Sequence, residues 1–150
     1  MQPNKSDLNR ISDSLDSVDP GVRIVNAITL ERLASKPMAI PRPDRVLEIL
    51  LGLRLDEGKK RSLAFRVLRS AFLSGDLGVI EPAVLVAVTR LEDGADVCAP
   101  HLLAIRYLKS DRDPSVMERQ HPEYRDAILL LVGEFDSAAS GSLSTATPSP

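Results

Sequence analysis

The amino-acid sequence predicts an all-α fold. Leu and Ala recur at three- and four-residue spacing along the chain, which is the period of a helix face buried against a core. No stretch alternates apolar and polar residues for long enough to indicate a half-buried strand. Proline and glycine punctuate the pattern: Pro20 and Pro43 stand at helix starts, whereas Gly75 and Gly94 follow helix ends as left-handed residues.

The apolar pattern and its punctuation predict seven helices. Their approximate bounds are 6–17, 20–36, 43–55, 57–74, 81–92, 98–110 and 122–136. The valine-rich fifth segment also admits a strand. We favour a helix there because Glu81-Pro82 is a good first turn and because Leu85, Val88 and Leu91 share one helix face.

Chain length predicts one domain, since 150 residues can bury a sizeable core without a disulfide or a metal. The domain is expected over 20–136, after a polar and partly helical N-terminal segment over 1–19. The Ser-rich residues 137–150 are expected to form a disordered tail because they cannot bury enough apolar surface. Leu68 and Leu129 are expected in the core, so replacing either by alanine should cost roughly 2–5 kcal/mol. Deletion of residues 140–150 should leave the stability nearly unchanged.

Two series of residues recur with a period of about 40. Pro43, Pro82 and Pro122 begin related segments at separations of 39 and 40 residues. The alanines of the preceding segments, Ala27, Ala64 and Ala104, are 37 and 40 residues apart. Such a period predicts a short α-solenoid-like array of helical hairpins with a HEAT-like repeat length. The alternative is a compact irregular helical bundle, because prolines at helix starts create a similar pattern.

One short segment carries a family resemblance. The seven residues Asp19-Pro20-Gly21-Val22-Arg23-Ile24-Val25 resemble the start of the first helix of a HEAT-type repeat. The resemblance covers these residues alone, and no family is assigned from it.

Charge and cysteine content narrow the functional classes. The chain has 19 basic and 21 acidic residues, a net charge of −2, which argues against nucleic-acid binding as the main function. Residues 1–75 carry 13 basic and 9 acidic residues, a net of +4, whereas residues 76–150 carry 6 and 12, a net of −6. The single cysteine, Cys98, cannot form an intramolecular disulfide and suits a reducing compartment.

The sequence indicates a cytoplasmic protein without a membrane partner. No apolar run approaches the roughly 20 residues that span a bilayer, and residues 1–19 lack the apolar segment of a cleaved signal peptide. A non-cleaved secretion signal remains open because serine is frequent at both ends of the chain.

Basic residues are the main candidates for partner binding. If the repeat is real, the positions two and five residues after each repeat alanine form columns, and these contain Arg66 with Arg106 and Arg69 with Lys109. An acidic surface on another protein would be complementary to this ridge. The alternative is that these cations are ordinary solvent-exposed charges that complement the dipoles of their helices. The predicted partner-binding residues are Arg66, Arg69, Arg106, Tyr107 and Lys109.

A second hypothesis is a nucleic-acid-binding regulator that uses the basic region 42–69. Its candidate phosphate contacts are Arg42, Arg45, Lys59, Lys60 and Arg61. Residues 24–53 can also be arranged as a helix-turn-helix, with Arg42 and Arg45 on the second helix. The connector between the two helices is longer and richer in proline than the usual tight turn.

Catalytic and metal-binding motifs are weak. Asp96-x-Cys98-x-x-His101 lacks a fourth zinc ligand, and Glu118-x-x-His121 occurs once, directly before a proline. Cys98 has no strained turn or oxyanion-hole motif beside it. We therefore assign no catalytic, cofactor or metal residue. The first functional hypothesis is a non-catalytic protein–protein interaction module, and a third is a secreted bacterial effector or its inhibitor, suggested by the Ser-rich ends.

Overall fold

The computed structural model describes the backbone of residues 4–146 and the side chains of residues 4–138, and within this part all regular secondary structure is helical. Nine α-helices follow one another, with a 3₁₀ turn over Ser14–Asp16. The helices are α1 (Lys5–Asp13), α2 (Pro20–Ala34), α3 (Pro43–Leu51), α4 (Glu57–Phe72), α5 (Leu77–Arg90), α6 (Gly94–Val97), α7 (Ala99–Lys109), α8 (Ser115–Glu118) and α9 (Pro122–Ala146). The all-α prediction is confirmed.

Aspartate side chains begin three of the long helices. Asp19, Asp56 and Asp76 each accept a hydrogen bond from a backbone N–H of the first turn, at 2.9, 2.9 and 2.8 Å. Each cap satisfies a donor that has no partner inside the helix. Pro20 and Pro43 occupy the predicted first turns of α2 and α3.

The start of α5 differs from the prediction. The helix begins at Leu77, four residues before the predicted start, because Asp76 caps it through the N–H of Gly78. Pro82 therefore lies inside the helix and not at its first position. The Asp76 cap was present in the sequence, but the Glu81-Pro82 pair was the more prominent start signal.

One of the two glycine stops was interpreted wrongly. Gly75 has the left-handed φ of 65° that was predicted for a residue after a helix end. After α5 it is Asp93, with φ 53°, that takes this conformation. Gly94 is required for a different reason, since it lies buried against the backbone of Val88.

The core is built mainly from aliphatic side chains of α2, α3, α4, α5 and α9. Its largest fully buried members are Phe72, Leu15, Leu30, Leu47, Leu50, Leu68, Ile80, Ile128, Val46, Val67, Val84 and Pro43. One buried polar side chain fixes the connector between α2 and α3: the hydroxyl of Ser70 donates to the Met38 carbonyl (2.8 Å) and accepts from the Ile40 N–H (2.9 Å). This connector therefore lies against α4 and not free on the surface.

The helices form three pairs in chain order, α2 with α3, α4 with α5, and α7 with α9. The first two pairs stack as a solenoid predicts, with α2 on α4 and α3 on α5. The third pair is reversed: α9 packs on α4 in addition to its partner α7, and α7 packs on α5. The 40-residue repeat is therefore not confirmed. The connection through α8 is long enough for α9 to cross over and reach α4.

The last helix is longer than predicted and is rotated differently. It continues to Ala146, ten residues past the predicted end, and so covers much of the region expected to be a disordered tail; residues 147–150 lie outside the described part. Ser-Ala-Ala at 137–139 extends a helix that is already nucleated at little cost. Leu129 is 52% exposed, and its neighbour Ile128 is the fully buried residue. The prediction of Leu129 as a core residue is wrong.

Replacing these two neighbours by alanine should have very different effects. Ile128→Ala is expected to lower the free energy of unfolding by about 2 kcal/mol, because it removes buried methylene groups and leaves a cavity. Leu129→Ala is expected to cost less than about 0.5 kcal/mol, because the side chain stays half in water. Urea denaturation measures both values. Equal destabilisation by the two substitutions would contradict the observed rotation of α9.

Candidate interaction surfaces

The predicted basic residues of α4 are held by carboxylates of two different neighbouring helices. Arg66 Nε donates to Glu31 Oε1 of α2 at 2.7 Å, and Arg69 Nε donates to Glu134 Oε1 of α9 at 2.9 Å. All four side chains keep part of their surface in water. These two arginines thus link α4 to its neighbours, and they do not stand free as the predicted ridge required.

The predicted residues of α7 have three different environments. Lys109 Nζ lies 3.3 Å from Glu81 Oε2 of α5. Arg106 is exposed and forms no ion pair with any residue in the described part of the chain. Tyr107 is half-buried and packs against the core. The structure therefore brings Arg106 and Lys109 together on the outer side of α7 and separates them from Arg66, which binds α2.

An apolar surface runs between α5 and α7, and we call it the α5–α7 face. A cavity of about 380 Å³ is lined by Glu81, Pro82, Val84, Leu85, Leu102 and Ile105. A second cavity, of about 460 Å³, is lined by Leu102, Ile105, Arg106, Lys109 and Ser110. The two cavities share Leu102 and Ile105, so they form one continuous surface. Leu85 is 65% exposed and Leu102 is 40% exposed at its centre.

A separate groove lies where α4, α7 and α9 meet, and we call it the α9 groove. Its volume is about 390 Å³, and its lining is almost wholly apolar apart from the Arg69–Glu134 ion pair. The lining residues are Phe65, Arg69, Val97, Pro100, His101, Ala127, Leu130, Leu131 and Glu134. Phe65 is 41% exposed and Leu130 is 73% exposed. His101 of α7 stacks on the Phe65 ring, which nevertheless stays partly exposed to solvent.

His101 forms the inner wall of this groove. Its ring stacks on Phe65 with the ring centroids 5.4 Å apart, and the centroid of Phe72 is 6.2 Å away. The residue is 8% exposed, and Nδ1 has no hydrogen-bond partner among the described residues. Burial lowers the pKa of His101 from 6.5 to about 4, so the imidazole is neutral at pH 7.

Cys98 and His101 do not form a reactive pair in this environment. Burial raises the pKa of the Cys98 thiol to about 11, so the thiol stays protonated at neutral pH. Asp96, the first member of the same motif, is exposed while Cys98 and His101 are buried. In the part of the chain that the structure describes, no three His, Cys, Asp or Glu side chains converge as a metal site would require.

The basic region 42–69 is partly neutralised within the chain. Arg42 donates two hydrogen bonds to the Asp16 carboxylate, at 2.7 and 2.9 Å, and Arg45 lies 3.0 Å from Glu48. The guanidinium of Arg42 holds the pKa of Asp16 below its usual value through this hydrogen bond. Arg61 lies 3.9 Å from Glu57, and Lys59 and Lys60 are the remaining cations of the predicted phosphate-binding set.

Sequence reasoning missed the apolar centres of both surfaces. Leu85, Leu102 and Leu130 belong to helices whose apolar residues occupy more than one face. The run Leu129-Leu130-Leu131 is a signal that could have been used, because three consecutive residues of a helix cannot all face one core. Which of them stays exposed depends on the packing of the neighbouring helices.

The chain matches no protein-family model, no curated protein and no solved structure. Among the described residues, no helix combines the length and the apolar composition needed to cross a bilayer.

Proposed function

We propose that the chain is a non-catalytic protein–protein interaction module, acting as an adaptor, chaperone or regulator, and that the α5–α7 face is its partner-binding surface. The observation that carries this proposal is the exposure of Leu85 and Leu102 side by side on two packed helices. Contiguous exposed apolar surface is rare on monomeric proteins and marks interaction sites. Catalysis has less support, because the buried thiol is protonated and, among the described residues, no three His, Cys, Asp or Glu side chains converge.

The charges at this surface indicate the chemistry of the partner. Arg106 lies beside Leu102 and Ile105, is exposed, and has no carboxylate partner in the described part of the chain. Lys109, which pairs with Glu81, lies at the same end of the face. A partner helix with one or two aliphatic anchors followed by an acidic residue would bury Leu85 and Leu102 and pair with Arg106. Two of the sequence-predicted residues, Arg106 and Lys109, thus belong to the proposed surface.

Substitution at the centre of the α5–α7 face should abolish partner binding. In affinity capture from the source cells, the amount of partner bound to the Leu85→Glu, Arg106→Glu variant should fall by about tenfold or more. The variant removes an apolar anchor and reverses a charge. Both positions are exposed, so the fold should be unaffected. Captured proteins are identified by mass spectrometry and quantified against the wild type.

Leu130→Glu is the matched control because it changes a similarly exposed leucine outside this face. This variant should capture the same amount of partner as the wild type. An unchanged partner after the Leu85→Glu, Arg106→Glu substitution would exclude this surface. Recovery of nucleic acid that is lost as salt rises would instead favour the nucleic-acid-binding regulator.

A further inference from the structure

The α9 groove has the size and the lining of a small-molecule site. Residues of four helices, α4, α6, α7 and α9, form its walls. Its volume of about 390 Å³ falls within the range of pockets that hold small organic molecules, about 300–1,000 Å³. His101 in its wall is 8% exposed, whereas Leu130 is 73% exposed, so the groove leads from the core to the surface.

Two stacked rings form one wall of the groove. The ring centroids of Phe65 and His101 are 5.4 Å apart, and the ring planes differ by 24°. Phe65 stays 41% exposed beside this stack. A flat ring that enters the groove can pack on the pair in an offset or edge-to-face arrangement, which adds to the attraction from apolar burial. The wall therefore favours an aromatic ligand.

The described lining of the groove carries no unpaired charge. Arg69 donates to Glu134 at 2.9 Å, so these two side chains neutralise each other. Burial lowers the pKa of His101 to about 4, so the imidazole is neutral at pH 7. The other lining residues are apolar. An ion in the groove would lose its water without gaining a free counter-charge, which favours an uncharged ligand.

His101 also offers a polar group that lacks a partner. Its Nδ1 is the one buried side-chain nitrogen or oxygen without a hydrogen bond among the described residues. Leaving such an atom unpaired costs free energy, and native proteins do so rarely. A neutral imidazole accepts a hydrogen bond at one of its ring nitrogens. A ligand with an N–H or O–H group at the base of the groove would give the imidazole a partner.

We propose that the α9 groove binds a small, uncharged aromatic molecule that carries one hydrogen-bond donor, of the size and chemistry of indole or a phenol. The ring packs on Phe65 and His101, and its donor group pairs with the imidazole. The Arg69–Glu134 ion pair stays intact at the side of the groove. This site is separate from the α5–α7 face, because the two share no lining residue.

The fluorescence of indole tests the proposal on the full chain. The chain has two tyrosines and no tryptophan, so indole can be excited selectively. Titration of indole with the wild type should shift its emission to shorter wavelengths in a saturable manner, with one site per chain and a dissociation constant below about 1 mM. Indole-3-acetate, which is charged, and 1-methylindole, which lacks the N–H, should each bind about tenfold more weakly or worse.

Two substitutions locate the indole site. Ala127→Phe fills the groove from α9, and Leu130→Glu places a carboxylate beside it, so each should weaken indole binding by about tenfold or more. Leu130 is exposed, so its variant keeps the fold even if Ala127→Phe does not, and circular dichroism checks both. Leu85→Glu, which changes a similarly exposed leucine on the α5–α7 face, is the matched control and should bind indole as the wild type does.

Three results would overturn the proposal. The first is a wild type without saturable indole binding, and the second is binding that Leu130→Glu leaves unchanged or that Leu85→Glu weakens equally. The third is a protein from the source cells that Leu130→Glu no longer captures, because the groove would then hold a polypeptide. Equal affinity for indole and 1-methylindole would refute the pairing with His101. The inference is independent of the proposed function, since Leu85→Glu and Leu130→Glu exchange roles as variant and control in the two experiments.

Discussion

Gly94→Ala is expected to lower the free energy of unfolding by about 4 kcal/mol, because the added methyl group has no room. The added Cβ would overlap the carbonyl oxygen of Val88 and lie 2.6 and 2.7 Å from the carbonyl carbon and Cα of that residue. These are backbone atoms of α5. They cannot move aside, because Ala87 and Leu91 beside them are buried in the core. Urea denaturation of the two proteins gives the difference directly.

Gly58→Ala provides the comparison for this prediction. Gly58 lies in the first turn of α4, and the nearest atom to an added Cβ is Asp56 Oδ1 at 3.4 Å, an ordinary contact. Alanine should leave the stability unchanged or raise it by up to about 1 kcal/mol, because it has the higher helix propensity. If the two glycines respond alike, the close approach of α6 to α5 is not what requires Gly94.

The helices of this chain could be predicted wherever the signals are local. Caps and prolines lie within a few residues of the boundary that they determine, and six of the seven predicted helices begin close to their observed starts. The start of α5 was misplaced because Asp76 and Pro82 both signal a helix start, and in the folded chain it is Asp76 that accepts a hydrogen bond from the first turn. Helices α6 and α8 have four residues each, too few to show a period.

The arrangement of the helices depends on contacts that no local pattern encodes. A period of 40 residues predicts that the third pair stacks like the first two. The observed reversal follows from α9 reaching α4, which it contacts through Arg69 and Glu134, two residues 65 positions apart. Arg66 and Glu31 are 35 positions apart. Such partners could not be inferred from sequence, so the basic residues were interpreted as a free ridge.

The exposure of apolar residues also depends on contacts between helices that are distant in the sequence. Periodicity correctly indicates that Phe65, Leu85 and Leu130 lie on helices with an apolar face. Whether each is covered depends on how many neighbouring helices reach that face, which is a property of the assembled fold. The interaction module therefore remains a proposal. Its proposed binding surface is the α5–α7 face, whereas the sequence had pointed to the arginines of α4.

The folded protein should lose about 3 kcal/mol of stability as the pH falls from 6.5 to about 4, and His101 is the reason. The pKa of this buried histidine is lowered to about 4, whereas in the unfolded chain it is near 6.5. Below pH 6.5 the unfolded chain therefore binds a proton that the native state does not, which favours unfolding. The contribution is fully present above pH 6.5 and is lost once the pH falls through the folded pKa.

Replacing His101 by Phe should remove this pH dependence. Phenylalanine can keep the stacking on Phe65 and Phe72 and does not titrate, so its free energy of unfolding should be nearly equal at pH 7 and pH 4.5. The pKa values of Asp16 and Asp136, which their arginine partners lower from 3.8, affect stability only at more acidic pH. His121→Gln, which replaces the exposed histidine, is the control: this variant should still lose stability between pH 7 and pH 4.5. A His101→Phe protein that is still destabilised between pH 7 and 4.5 would show that another group titrates in this interval.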